Sequence, residues 1–157
     1  MRKQCKRKRV ERKIHPLVFK PCESARGKQN EWDARIAALY LCMQDGTFKD
    51  NDFGVLIEFI CLANVIASVA CNDEFEQYID ETQKIIYRPY VDRMIAGKWS
   101  FTEEECERLR LRLFALADAL ADLPYVTIQI ALKESNMKSN AFLAEFKERA
   151  NLSSPQH

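Results

Sequence analysis

The sequence predicts an all-α protein: a compact helical bundle of five to six helices with an extended basic N-terminal arm. Three observations carry that expectation. Glycine and proline are scarce, 4 and 5 in 157 residues, which disfavours a turn-rich sandwich or barrel and favours long helices with short connections. Apolar residues recur at helical spacing through most of the chain after residue 30. Charge is divided unevenly: residues 1–28 hold eleven Lys/Arg against two acids, a net +9, whereas residues 29–157 hold 13 against 21, a net −8. With 47% hydrophobic and 30% charged residues, the chain has the balance of one globular domain able to bury a core without staples.

The arm and its strap occupy residues 1–29. Residues 1–13 are a charge block with almost nothing apolar, and such blocks repel themselves. Residues 14–19, Ile-His-Pro-Leu-Val-Phe, gain from docking on something, and Pro16 and Pro21 keep them extended. They read as a strap lying across the helical body.

A helical domain is expected over 30–150. Asn30 is a good N-cap, with Asp33 three residues on, and Trp32, Ile36, Leu39, Tyr40 and Met43 form one buried stripe that Gly46 stops. A second helix, from about Asp52 to Cys71, is apolar almost all round. It is long enough to span a bilayer, but Glu58 and Asn64 inside it and acidic flanks favour a central bundle helix. A third, from Asp73 to about Ala96, contains Pro89, which should kink or split it before Gly97 closes it. Thr102 with Glu105 forms a capping box that opens a fourth helix, lined by Leu109, Leu113, Leu116, Ala117 and Leu120 and ended by Pro124. Residues 125–132 alternate and are β-branched, a local strand pattern. A lone strand has no partner here, so tertiary context should make the segment helical. Ser139 or Asn140 then caps a last short helix with Phe142, Leu143 and Phe146, and residues 151–157 form a frayed tail.

Six cysteines (Cys5, Cys22, Cys42, Cys61, Cys71 and Cys106) could make three disulfides. Four of them sit in or beside apolar helical stretches, where free Cys acts as a small hydrophobe. No apolar stretch of a secretory signal follows the basic start. The expectation is therefore free thiols and a cytoplasmic setting.

The basic block is the loudest feature. Arg2, Lys3, Lys6, Arg7, Lys8, Arg9, Arg12 and Lys13 can neutralise several phosphates, dock on an acidic partner, or fold back on the acidic body. No aromatic is interleaved among them, so base stacking is not supported. Cys5, His15 and Cys22 lack the spacing and the fourth ligand of a zinc site. The histidines are His15 and His157, which leaves little for a nucleophile–base pair. No Walker loop, G-x-G-x-x-G or H-E-x-x-H occurs. Acids at 103–107 and 73–76 read as helix-start capping. Glu58 inside the apolar helix needs a partner, for which Arg88, Arg93 or the arm are candidates. Trp32, Trp99, Tyr87 and Tyr90 read as core or core-edge residues.

The layout resembles a family of short proteins carried by phages and prophages of Gram-negative bacteria. Its marks here are the basic, Pro-containing start, Lys6-Arg7-Lys8-Arg9 to His15-Pro16-Leu17; the apolar centre Leu62-Ala63-Asn64-Val65-Ile66; the run from Arg93 to Gly97; and a final helical pair. Pro89 and the cysteines depart from that pattern. The resemblance implies a setting, the bacterial host cytoplasm during infection or lysogeny, and no activity at any residue. The expectation is a non-enzymatic interaction protein without cofactor or metal. It would bind a host protein or ribonucleoprotein, in host takeover or in anti-defence such as an anti-CRISPR. The alternative is a nucleic-acid-binding accessory protein using the arm. No membrane partner is expected, and a homodimer through the apolar second helix is plausible.

Overall fold

A computed structural model describes residues 25–153. Five helices and no strand occur among them: α1 Arg26–Asp45, α2 Asp50–Ala70, α3 Asp73–Ala96, α4 Glu103–Ala121 and α5 Tyr125–Ser153. The expected all-α bundle is therefore present. The basic block, the strap, both histidines, Cys5 and Cys22 lie outside the described residues.

Helix α3 is the hub, packing on α2, α4 and α5, while α1 lies mainly along α4 and α2 mainly along α5. α1 and α4 run antiparallel, with Arg26 paired to Asp122, Gln29 to Asp118 and Tyr40 to Glu107. α2 and α5 are also antiparallel: Phe53 packs against Phe146 with the rings tilted and their centres 5.7 Å apart, and the Cys61 thiol faces the Ser135 carbonyl.

The core follows the helical stripes. Leu56, Ile60, Ile79, Ile86, Leu109, Leu113, Leu116, Leu120, Ile128 and Phe146 are fully buried, each side chain contributing about 1.5–3 kcal/mol on transfer from water. An aromatic cluster closes the end where α2 and α4 begin: Trp99 lies 4.9 Å from Phe53 and 5.2 Å from Phe48, ring centre to ring centre. Cys42, Cys61, Cys71 and Cys106 are free thiols. α2 is long and apolar enough to cross a membrane, but here it is a core helix, and only Val55 and Val69 among its large aliphatic side chains are exposed. A dimer built on its apolar faces would have to uncover the core.

Several boundaries differ from the sequence expectation. α1 begins at Arg26, four residues before Asn30, and its N-cap is Ala25, which offers no side-chain cap. A tertiary bond sets that start: the buried Ala25 donates its N–H to the Leu123 carbonyl at 2.8 Å. Pro89 is buried inside α3 and does not split it. Residues 125–132 are helical, as expected, but no break follows. α5 continues through Ser139 and Asn140 to Ser153, three residues beyond the domain end drawn at 150. The Ser139 hydroxyl donates back to the Asn136 carbonyl at 3.1 Å instead of capping a new helix.

Helix starts are locally secured elsewhere. Asn72 caps α3 through the Phe75 N–H at 3.1 Å. Asp52 accepts the Lys49 N–H at 2.8 Å at the start of α2. α4 has both halves of its capping box, Thr102 N–H to Glu105 at 2.8 Å and Glu105 N–H to Thr102 Oγ1 at 3.2 Å. Replacing Thr102 by Ala should cost about 1 kcal/mol in chemical denaturation. Cys71 ends α2 with φ 49°, a left-handed conformation that glycine adopts without strain. Cys71→Gly should therefore raise stability, by up to about 1 kcal/mol in the same experiment; a loss would show that Cys71 contributes more than its backbone.

Candidate interaction surface

Charged side chains sort into clamps between helices. Arg88 of α3 donates Nε to Glu105 of α4 at 2.7 Å and a second nitrogen to the other carboxylate oxygen, pairs with Asp92, and reaches the Ser100 carbonyl at 3.1 Å. Arg112 of α4 bonds Glu81 at 3.0 Å and the Tyr78 carbonyl at 3.2 Å, its guanidinium 4.5 Å from the centre of the Tyr78 ring. Asp50 accepts from Arg93 at 3.0 and 2.9 Å and from the Trp99 indole at 2.8 Å. The Arg93 and Trp99 bonds hold its carboxyl below the usual value. Arg149 ties α5 to Asp80 of α3 at 2.9 Å.

This arrangement corrects two of the three pairings expected for Glu58, and the third, with the arm, lies outside the described residues. Arg88 and Arg93 are spent on Glu105, Asp92 and Asp50, and Glu58 is exposed, without an ion-pair partner among the described residues. Of the acids at the start of α4, Glu105 acts as the expected helix cap, whereas Glu107 serves contacts with other side chains. Glu105 caps and pairs, and Glu107 accepts from Tyr40 and Arg110. Trp32, Tyr87 and Tyr90 are buried and Trp99 is half-buried, in or at the core as expected. Among the described residues no group of three His, Cys, Asp or Glu is placed to hold a metal ion. The predicted binding residues Arg2, Lys3, Lys6, Arg7, Lys8, Arg9, Arg12 and Lys13 lie outside the described residues. The structure thus brings none of them to a site.

It does show a surface that sequence reasoning missed. Val126, Ile130 and Met137 of α5 are 52%, 64% and 79% exposed. Their i, i+4, i+11 spacing puts them on one face of the helix, opposite the buried Ile128. Met94 and Ile95, at the end of α3, are also exposed. Three clefts border α5, the smallest, about 60 Å³, beside Asn64, Gln83 and Arg149; the other two are more apolar. One, about 100 Å³, lies between Trp32 and Ile36 of α1, Val55 and Phe59 of α2, and Leu132 of α5. The other, about 530 Å³, lies between Phe53 and Ile57 of α2, Tyr90 and Met94 of α3, and Leu143 of α5, with Asp50, Arg93 and Lys147 at its rim. Glu58 and Ser139 border both.

No family model matches the chain, and no curated protein and no solved structure is found to be similar to it.

The Arg88–Glu105 clamp predicts a pH dependence. Burial pushes the Glu105 carboxyl up, but its bonds to Arg88 and Thr102 pull it further down, so its folded value lies below the ordinary 4.5. A depressed carboxylate stabilises the fold above its unfolded pKa, and that contribution is lost as pH falls through the folded one. Arg88→Ala should therefore be less stable than the parent at neutral pH. The gap should narrow as pH drops below 4.5. Urea midpoints of both proteins across that range would show it, and a pH-independent gap would assign the effect to packing alone.

Proposed function

We propose that this is a non-enzymatic interaction protein that binds a host protein or ribonucleoprotein through the exposed face of α5. One observation carries the reading: Val126, Ile130 and Met137 form an apolar ridge in line along the outer face of a long helix whose other side is anchored in the core. Isolated exposed aliphatics are ordinary, but an aligned set on one rigid helix is how a helical face presents anchors to a partner. The surrounding body is acidic, a net −8 over residues 29–157, which suits a partner with a basic surface, such as a nucleic-acid-binding protein or its complex. The resemblance to short phage-carried proteins supports a role in host takeover or anti-defence in the bacterial cytoplasm. It also makes the second reading worth a direct test. The block Lys6-Arg7-Lys8-Arg9 and its neighbours can bind phosphates, and affinity would then fall linearly on a log–log scale with salt.

The test compares the full chain with Ile130→Asp/Met137→Asp. Both positions are solvent-facing, so the double variant should keep the parent's circular dichroism. Affinity capture from bacterial lysate, followed by reconstitution with the purified partner, should show binding by the parent and a loss of at least about tenfold in the variant, equivalent to ~1.4 kcal/mol. Equal capture by both proteins would sink the α5 reading. Binding of labelled DNA or RNA that survives the α5 variant but disappears when Lys6, Arg7, Lys8 and Arg9 become Gln would establish the arm instead.

A further inference from the structure

The largest cleft beside α5 has unlike ends. The geometry points to a binding site there for a short extended peptide segment of a protein partner, apolar in its middle, acidic toward Arg93 and Lys147 and basic toward Glu58. The cleft measures about 530 Å³, within the roughly 300–1,000 Å³ of ligand sites. Its walls are fixed by the core: Phe53 and Ile57 of α2 and Tyr90 of α3 are buried, and Leu143 of α5 packs against buried residues.

The antiparallel course of α2 and α5 sorts the rim charges. Asp50, Arg93 and Lys147 stand at one end, and Glu58, Ser139 and Asn140 at the other. At the first end two cations face one acid. Asp50 takes two nitrogens of Arg93, at 3.0 and 2.9 Å, which leaves the third without a partner among the described residues. Lys147 is exposed and has no ion-pair partner among them either. At the second end Glu58 is likewise exposed and unpaired among the described residues. Eight residues separate Asp50 from Glu58, and eight separate Ser139 from Lys147, about 12 Å along either axis. Opposite charges that far apart suit an extended chain better than a compact molecule. Such a chain advances about 3.3 Å per residue and spans the cleft in about four.

Two further features go beyond what folding requires. Tyr90 is 6% exposed and its hydroxyl has no hydrogen-bond partner among the described residues, yet no buried side-chain polar atom among them lacks one. The hydroxyl therefore opens onto the cleft that Tyr90 lines, where it can bond the backbone of an entering chain; tyrosine hydroxyls at apolar sites ordinarily find such a partner. Gly54 sits inside α2, where glycine is the least favourable residue after proline. A Cβ there would meet nothing among the described residues within 4 Å, so packing does not call for glycine. Its missing side chain leaves the cleft open between Phe53 and Ile57. The inference rests on the interaction reading for the source of the segment, but the cleft shares no residue with the ridge of Val126, Ile130 and Met137.

The test is a nuclear magnetic resonance titration of the full chain with the end-blocked peptide Lys-Leu-Phe-Asp, and with Lys-Leu-Phe-Lys and Asp-Leu-Phe-Asp as controls. The mixed-charge peptide should shift the Trp99 indole and the Ser139 and Asn140 amides saturably and leave the Trp32 indole unmoved. It should bind at least about threefold more tightly than either control, the scale of one exposed ion pair. Gly54→Phe fills the cleft and should weaken binding at least about tenfold while melting no lower than the parent. Glu58→Lys, at an exposed position, should cost at least about threefold, and it decides the matter if Gly54→Phe does not fold. Ile130→Asp/Met137→Asp should bind the peptide as the parent does, so a failed capture from lysate would remove the ridge reading and leave the cleft standing. The inference is overturned by no saturable shift at Trp99 up to about 5 mM peptide, by equal affinity for all three peptides, by affinity unchanged in Glu58→Lys or in folded Gly54→Phe, or by loss of peptide binding in the ridge variant.

Discussion

The burial of α2 decides where α3 and α5 lie. Phe53, Leu56, Ile57, Ile60, Leu62, Val65 and Ile66 are all buried and point around most of the helix circumference. A helix apolar on nearly every side cannot be satisfied by one neighbour. α3 covers one flank through a tight connection at Cys71 and Asn72, and α5 covers another by running back antiparallel over it. The length of α5 is set by that task. A helix that ended near Ser139 would leave Phe53, Tyr87 and Tyr90 without Phe146, which contacts all three rings.

Once α2 is covered, the charged residues have only to fix how the helices lie against one another. The clamps do so at several points: Arg88 and Arg112 along the α3–α4 seam, Arg93 at the end shared by α2 and α3, and Arg149 between α5 and α3. Most of these ions keep substantial solvent exposure, so each is worth little alone. Glu105 is the exception, with a side chain only 15% exposed. There the bonds from Arg88 and from the Thr102 backbone offset the cost of desolvation. Geometry, more than energy, is what such pairs contribute: Arg88 joins α3, the 100–102 connection and the first turn of α4 in one step.

Where local chemistry decides an element, the sequence shows it. The Thr102–Glu105 box, the left-handed Gly46 and Gly97, and the stripes of α1, α3 and α4 are all readable as written. Where a distant contact decides, it does not. Nothing local marks Ala25 as a helix start, because its N–H is satisfied by Leu123, nearly a hundred residues away. Asn30 has the right side chain for a cap but sits inside the helix that this contact has already begun. Pro89 loses a backbone donor, yet its ring is buried among core side chains that hold α3 together. Glu58 looks like a buried acid in a one-dimensional reading because its neighbours are apolar; in three dimensions it is on the open side of α2.

The candidate surface was hidden for a related reason. In Tyr125-Val126-Thr127-Ile128-Gln129-Ile130-Ala131-Leu132, every second residue is aliphatic, the signature of a half-buried strand. On a strand those four side chains would share one face and all be covered. Wound into a helix they diverge: Ile128 goes into the core, Leu132 to the cleft, and Val126 and Ile130 out to solvent beside Met137. The demand of α2 for a covering helix therefore overrides the local preference and leaves an apolar ridge that folding alone does not use. A conflict between local pattern and global fold is expected where a sequence serves a second requirement. The proposed interaction surface is placed on α5 for this reason.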